Sequence, residues 1–476
     1  MSDLVKAYTA TGNQAYIDKA YEIIRDWVSV HPYGNSPDKM AWHDETTARR
    51  LMAWIQLYDV SKRIIDDNTA DFIISNIVQT GKILSSSSFY KKMNNHGMFQ
   101  DQALLIYSDY FSIIKDSVFM SYQAVTRMNE YFTFVISDEG VHLENSPSYH
   151  QAIAQSIGQY RDYFIANNNP YGVQLDGLYN KMMRFATFII KPDGYFPQIG
   201  DTPKGKPITT LWNDPGYLYA ATQGKSGVAP SATEAVFLKS GYVILRDRWS
   251  TGGKGTYIAF TAAYKSAAHK HNDDLNVLYY HDRDILIEAG PYGYDYTNDY
   301  TKYVYSSYAH NTLIVDNKDL PATPNIDKKY NMSRLTSSVS TAEKTIVTGV
   351  NERFNGVKQE RSIEFIKGSN ALNVTDVMTA TASHNYKLLW NLAPDIDAVV
   401  SGNTVMLNSK GVPIAKVEFT SGTGTTVKVV KGQTSPYLLG WYFDKLYDDT
   451  PTPTSVIIVD MNGSNSTVST KFTPLN

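Results

Sequence analysis

Gly224-Lys225-Ser226-Gly227-Val228-Ala229-Pro230-Ser231 separates two textures of sequence. Its glycines, serines and proline read as a linker. Upstream, apolar residues recur at helical spacing: Tyr16, Ala20, Ile23, Ile24 and Trp27 fall on one helix face. The same period returns over residues 44–64, 70–84, 98–114, 118–136, 147–167 and 174–191. Short polar connectors such as Ser86-Ser87-Ser88 and Asn167-Asn168-Asn169-Pro170 separate these stretches. Repeated helix pairs of this length predict an α/α toroid or another helical array, with no close sequence repeat to choose between them. Downstream, the chain breaks into short β-branched and aromatic runs: 242–245, 257–260, 285–287, 312–315 and 455–459. Turn signals at Asn355-Gly356 and Ser401-Gly402-Asn403 fit between such strands, which predicts an antiparallel sandwich.

The reading is therefore an α+β multidomain chain. A helical domain spans 1–225 and an antiparallel β-domain spans 232–476, with strands after about residue 400 as a candidate small subdomain. A length of 476 residues suits two domains that each bury a core. A net charge of -3 without a basic block argues against nucleic acid as partner. The absence of cysteine removes disulfides, thiolate nucleophiles and cysteine-ligated zinc, so any metal must be held by His, Asp or Glu. No apolar stretch approaches the roughly 18 residues of a membrane span. The opening residues lack the form of a signal peptide, and a start almost directly in a helical pattern fits a chain whose leader has been removed. Thirty-five tyrosines suit a carbohydrate cleft, because a phenol stacks on sugar and bonds to its oxygens. Tyrosine is equally a strand former, so core positions account for most of them.

Three constellations carry chemistry. Asn94-Asn95-His96-Gly97 precedes a helical run, where free backbone N–H groups favour an anion. An ordinary cap explains it as well as Asn95 bonding a substrate carboxylate with His96 beside it as base. Glu144-Asn145-Ser146-Pro147-Ser148-Tyr149-His150 has a serine cap and a proline in the first turn, which puts Tyr149 and His150 at a helix start. Ala268-His269-Lys270-His271-Asn272-Asp273 holds two of ten histidines, and Ala309-His310-Asn311-Thr312 a third. If the first of these is a strand, His269, His271 and Asp273 project together. Joined by Glu288 and His310, they make a His/His/carboxylate set for Zn2+. Solvated loop histidines are the bland alternative.

Six motifs in order resemble the heparinase II/III-like polysaccharide lyases. They are Trp42-His43-Asp44 with Arg50, Asn94 to Gly97, Glu144 to His150, Ile199-Gly200-Asp201, His269 to Asp273 with Leu286-Ile287-Glu288-Ala289-Gly290-Pro291-Tyr292, and Ala309 to Thr312. The resemblance covers roughly residues 40 to 320. It implies an N-terminal incomplete (α/α) toroid followed by a C-terminal antiparallel β-sandwich, and cleavage of uronate-containing glycans by β-elimination. It implies that Asn95 neutralises the uronate carboxylate and that Tyr149 is the acid, and also the base if elimination is syn. His96 or His269 is the base otherwise, depending on the C5 configuration. His43, Arg50, Asn94, Glu144, His150 and Tyr308 are candidate substrate contacts, with Arg50 equally suited to a salt bridge between helices and Asp201 to a turn. His271, Glu288 and His310 match the family's metal ligands, which implies a structural divalent ion, zinc favoured, and no organic cofactor. Two positions depart from the pattern: Glu288 stands where aspartate is usual, and Phe99 where some members carry glutamate.

The polymer is a glycosaminoglycan, alginate or a bacterial capsule or exopolysaccharide, with family breadth favouring a bacterial one. The expected location is extracellular or periplasmic. A hydrolase on the same helical scaffold is the first rival, because Asp44, Glu45, Glu144 and Asp201 offer pairs of carboxylates for the roughly 6.5–9.5 Å separation of an inverting enzyme. A non-catalytic glycan-binding or polysaccharide-assembly protein is the second.

Overall fold

The computed structural model describes residues 1–321, 326–422, 424–448 and 450–475. Helices fill the N-terminal region and antiparallel strands the C-terminal one, as the linker reading predicts. Packing divides the chain elsewhere, into compact units of residues 1–135 and 136–476. The change of element type and the change of packing unit are thus different boundaries.

The first unit contains α1 (Ser2–Thr11), α2 (Ala15–Val30), α3 (Asp44–Ser61), α4 (Asp67–Ser85), α5 (Asn95–Tyr110) and α6 (Ser117–Val135). Of the face predicted for α2, Ala20 and Ile24 are buried, Tyr16 and Trp27 half-buried and Ile23 exposed, and Ile17 and Tyr21 complete the inner face in its place; in α3 Leu51, Trp54, Ile55 and Leu57 lie inside. Side-chain caps fix where helices begin. Asp66 Oδ1 accepts from Thr69 N–H at 2.9 Å, and Asn94 Oδ1 from His96 N–H at 2.8 Å.

The second unit opens with α7 (Pro147–Ala166), α8 (Tyr171–Ile189) and the short α9 (Pro215–Ala221). It continues as a five-stranded antiparallel sheet in sequence order: β1 (Glu234–Phe237), β2 (Tyr242–Arg246), β3 (Thr256–Thr261), β4 (Asn276–His281) and β5 (Asp284–Leu286). After α10 (Asp299–Tyr305) come β6 (Leu313–Val315), β7 (Ser333–Ser340), β8 (Lys344–Asn351), β9 (Val357–Ile366), β10 (Ala371–Asn391), β11 (Ile396–Ser401), β12 (Thr404–Ser409), β13 (Val412–Ser421) and β14 (Thr426–Lys431). The two-residue β15 (Trp441–Tyr442) and β16 (Thr452–Pro453) pair with each other, and β17 (Ser455–Pro474) closes the chain. The large sheet runs β11-β12-β13-β17-β10-β9-β8-β7, with β14 on β17 and β6 on β10. The strands after residue 400, β12 to β14 and β17, therefore pair into this same sheet.

One core joins the two sheets. Val243, Leu245, Ile258, Phe260, Val277 and Tyr279 from the small sheet meet Val347, Ile363, Phe365, Leu372, Val374 and Trp390 from the large one. Each such side chain contributes about 1.5–3 kcal/mol by leaving water, which makes this sandwich the fixed support of the loops at its edge. Between β3 and β4 lies the loop that carries His269 and His271, and β5 leads directly into Glu288. No helix among the described residues is long and apolar enough to cross a membrane.

Candidate active site

In the second unit, three short segments and one helix end converge on Asp201. The start of α7 supplies Glu144 and Tyr149, the turn at 199–202 supplies the carboxylate, the β3–β4 loop supplies His269 and His271, and α10 ends on Tyr305. The turn is stitched to the helix by Ser146 Oγ, which lies 2.7 Å from Thr202 Oγ1 while also capping Tyr149 N–H. It is stitched to the loop by glycine. Gly200 has a φ of +55°, and a Cβ there would lie 2.4 Å from the His269 carbonyl oxygen.

His269 to Asp273 is a loop and not a strand, so the alternation predicted for it does not apply. His269 itself sits at a φ of +54°, uncommon for a residue with a side chain. Two bonds from Asn145 brace that conformation, since its Nδ2 donates to the Ser266 and Ala268 carbonyls, each at 3.0 Å. Asp273 does not project with the histidines but turns inward to pair with Lys270, both buried.

The two histidines bind one carboxylate. His269 Nδ1 is 2.8 Å from Asp201 Oδ2, His271 Nε2 is 3.0 Å from Oδ1, and Tyr305 Oη donates to both oxygens at 2.8 and 2.9 Å. Burial alone would raise the Asp201 pKa, but the bonds from His269 and His271 hold it well below the usual carboxylate range. The His269 ring stacks on Tyr149, with centroids 3.6 Å apart and planes 19° from parallel. Its Nε2 lies 3.7 Å from Glu144 Oε2. Burial pushes the Glu144 carboxyl up. Burial likewise raises the Tyr149 phenol, with its partner Tyr294 Oη at 3.3 Å opposing the shift and Asp201 and Glu144 adding to it. Tyr149 therefore holds its proton at neutral pH, ready to act as an acid.

Behind this group, Glu288 contacts His310 Nδ1 and Asn276 Nδ2, and His310 Nε2 donates to the Val304 carbonyl at 3.1 Å. His271 and His310 face each other with ring centroids 5.4 Å apart. All of Glu288, His310 and His271 are buried, and burial pushes the His271 pKa down. Asn311 underpins them, because its Nδ2 donates to the Val277 and Ile287 carbonyls and its Oδ1 accepts from Asn391 N–H.

The first unit builds a second cluster. His96 Nδ1 lies 2.8 Å from Asp44 Oδ1, His43 Nδ1 lies 3.3 Å from the same oxygen, and His96 Nε2 is 3.5 Å from Glu45 Oε2. Asn95 is the first residue of α5, half-buried, and Asn94 caps that helix. Gly97 is required by crowding, since a Cβ there would lie 2.2 Å from the Lys91 carbonyl oxygen. His43, Asp44 and His96 have donor atoms all within 4.8 Å of one another. Two helix N-termini and Lys91 Nζ, 3.6 Å from Asp44, offset part of the negative charge of Asp44 and Glu45 there.

The remaining sequence candidates sit apart from these groups. Arg50 is stacked against Trp27 and Trp42, at 4.0 and 4.6 Å, and donates to Ala41 O and Thr47 Oγ1; burial lowers its pKa to about 10. It forms an indole-walled anchor in place of the salt bridge weighed for it. His150 is 1% exposed, with Nδ1 accepting from His142 N–H and Nε2 donating to Met182 O, so both nitrogens are spent inside the protein. Burial takes its pKa to about 4. Tyr308 packs on Tyr437 at 4.5 Å and donates to Asn317 O. Phe99 lies under Arg49 at 4.4 Å. Tyr305 and Tyr294 are the phenols beside His271 and Tyr149. Sequence spacing did not single them out among the seven tyrosines from 292 to 308.

Comparison with known proteins bears on the family and the fold. The family model for the heparinase II/III N-terminus matches residues 1–214, and that for the heparinase II/III-like C-terminal domain matches residues 229–473. The chain belongs to the heparinase II/III-like family. Among curated relatives of this heparinase II/III-like chain is a heparin-sulfate lyase of Bacteroides stercoris, 23% identical over 412 residues, covering 78% of the chain and 60% of the relative. A heparin-sulfate lyase of Pedobacter heparinus is 22% identical over 415 residues, covering 82% and 60%. The chain thus spans about three-fifths of the length of these relatives. The crystal structure of heparinase III aligns over 99% of the chain and 75% of its own at 17% identity, with a TM-score of 0.82. That of a heparan sulfate lyase HepC mutant from Pedobacter heparinus aligns over 99% and 75% at 18% identity, with a TM-score of 0.79. At such identities the likeness establishes the fold, and it agrees with the toroid-plus-sandwich class expected from the sequence.

Proposed function

We propose that this chain is a polysaccharide lyase that cleaves a uronate-containing glycosaminoglycan by β-elimination. The observation that carries this reading is the His269 ring stacked on Tyr149 with Asp201 on its Nδ1. This places an imidazole whose Nδ1 is committed to Asp201 directly against a protonated phenol, and removing a C5 proton and protonating a C4 oxygen require such a neighbouring base and acid. In the reaction the base takes the C5 proton, that electron pair forms the C4–C5 double bond, the C4–O bond breaks, and Tyr149 gives its proton to the departing oxygen. The uronate carboxylate accumulates charge as the C5 proton leaves, and Asn95, on its motif, is assigned to meet it. His96 keeps the alternative role of base for the opposite C5 configuration. A glycosaminoglycan is favoured over alginate or a capsule polymer by the heparin-sulfate lyases among the relatives.

Two of the four carboxylates that a hydrolase would draw on are already committed. Asp201 and Asp44 are buried and bonded to histidines, so neither is free to activate water. Incubation with a panel of uronate polymers separates the two chemistries, since elimination creates a conjugated unsaturated uronate. Near-ultraviolet absorbance is expected to rise with a heparin-sulfate-type polymer. New reducing ends without that absorbance would refute the lyase reading.

We also propose a structural divalent ion, zinc favoured, on His271, Glu288 and His310. The donor set fits. His271 Nε2 and His310 Nε2 are both committed to oxygen acceptors, so each ring offers Nδ1 as the ligating atom beside the Glu288 carboxylate. The ion would brace the floor of the site. Metal analysis should find about one equivalent in the wild-type protein and a loss of most of it in His271→Ala; undiminished metal in that variant would remove the proposal.

A further inference from the structure

We infer that Asp201 is a positioning residue, which fixes the orientation and tautomer of His269 against Tyr149 and ties His271 to the same anchor. The inference rests on the lyase reading only in that His269 is taken as a ring that faces substrate. Asp201 does not reach the glycan, because it is 3% exposed and its two oxygens are occupied by His269, His271 and Tyr305.

The local architecture is organised around this carboxylate. His269 lies in a left-handed backbone conformation, Gly200 gives the space for its carbonyl, and Asn145 clamps the two carbonyls that precede and follow Ala267. A conformation of that kind persists only when its surroundings over-determine it. The backbone restraints place the Cα of His269 but leave its ring free to rotate about two side-chain torsions. Asp201 removes that freedom. An ionised carboxylate accepts and cannot donate, so the imidazole must present Nδ1–H to it, and the neutral ring then carries its lone pair on Nε2. That is the state a general base needs, and the ring plane set by the bond is the plane that stacks on Tyr149.

Asp201→Asn tests the assignment with little change of shape. An amide offers one acceptor and one donor, so it cannot accept from both histidines. Either His269 or His271 must then change tautomer or lose its bond. The imidazole 15N spectrum, with His269 assigned from its disappearance in His269→Gln, is expected to show an Nδ1–H form in the wild type. In Asp201→Asn a mixed or inverted form is expected. On a uronate polymer that the wild type cleaves, kcat should fall by about 10²- to 10³-fold with KM changed less than about threefold. Tyr305→Phe retains the carboxylate and should leave the His269 tautomer unchanged with at most about a tenfold loss in kcat. An Asp201→Asn protein with an unaltered His269 spectrum overturns the proposal. So does one whose loss lies wholly in KM. The spectrum needs no substrate, so it decides the role of Asp201 even if no polymer is cleaved. Tyr305→Phe supplies the same measurement if Asp201→Asn does not fold, and an inverted His269 tautomer in it would also count against Asp201 as the determinant.

Discussion

Tyr149→Phe is expected to lower elimination by at least about 10³-fold while leaving the fold intact. The substitution deletes one oxygen. The ring that stacks 3.6 Å from His269 remains, and so does the bond between His269 and Asp201. What is lost is the proton for the leaving C4 oxygen, and general acid–base groups of this kind are worth about 10²–10⁴ in rate. Initial rates from near-ultraviolet absorbance, with circular dichroism as a control of folding, provide the test. Retention of more than about a tenth of wild-type kcat would remove Tyr149 from the mechanism.

The largest expected effect on stability is at Asp376→Ala, about 3–5 kcal/mol. Asp376 and Arg361 are both fully buried between the sheets. Asp376 accepts from Arg361 Nε at 2.8 Å, from Nη2 at 3.0 Å and from Gln359 Nε2 at 2.8 Å. Arg361 Nη1 in turn donates to the carbonyls of Leu275 and Asn311, each at 2.6 Å. Removing the carboxylate leaves a guanidinium without a counter-ion in a place water does not reach. The double change Arg361→Met with Asp376→Leu should recover much of the loss, because the cost arises from the unpaired charge and not from the missing pair. Urea unfolding measures both. A loss below about 1 kcal/mol in Asp376→Ala would mean that the guanidinium finds another partner or solvent.

The helical period around Tyr16 to Trp27 and the β-branched runs were legible because each reflects a local rule, one face of a helix or one short strand. The helix boundaries followed to within a few residues, whereas the run at 455–459 opens a strand that continues to Pro474. The site was legible only as motifs. Tyr149 and His269 were named from their sequence, yet their stacking depends on a left-handed residue at 269 that no periodicity announces. Strand alternation put Asp273 beside the histidines, and the loop instead gave it to Lys270. Tyr305 and Tyr294 were hidden by their neighbours, since phenols at 292, 294, 296, 300, 303, 305 and 308 are alike until a helix end selects one. His150 looked available because it follows Tyr149. One step along a helix turns a side chain by about 100°, which here carries it into the core.

The bonds that hold the site also join distant parts of the chain. Asn145 reaches 123 residues to Ala268, His271 reaches 70 back to Asp201, Asn391 reaches 81 back to His310, and Arg361 reaches 50 back to Asn311. Contacts of such span form late, since the loops they close must first be brought together by the sandwich core. The histidines therefore acquire their arrangement only when strands as far along as β10 are in place, and a ribosome-bound chain that ends before residue 391 has the motifs without the site.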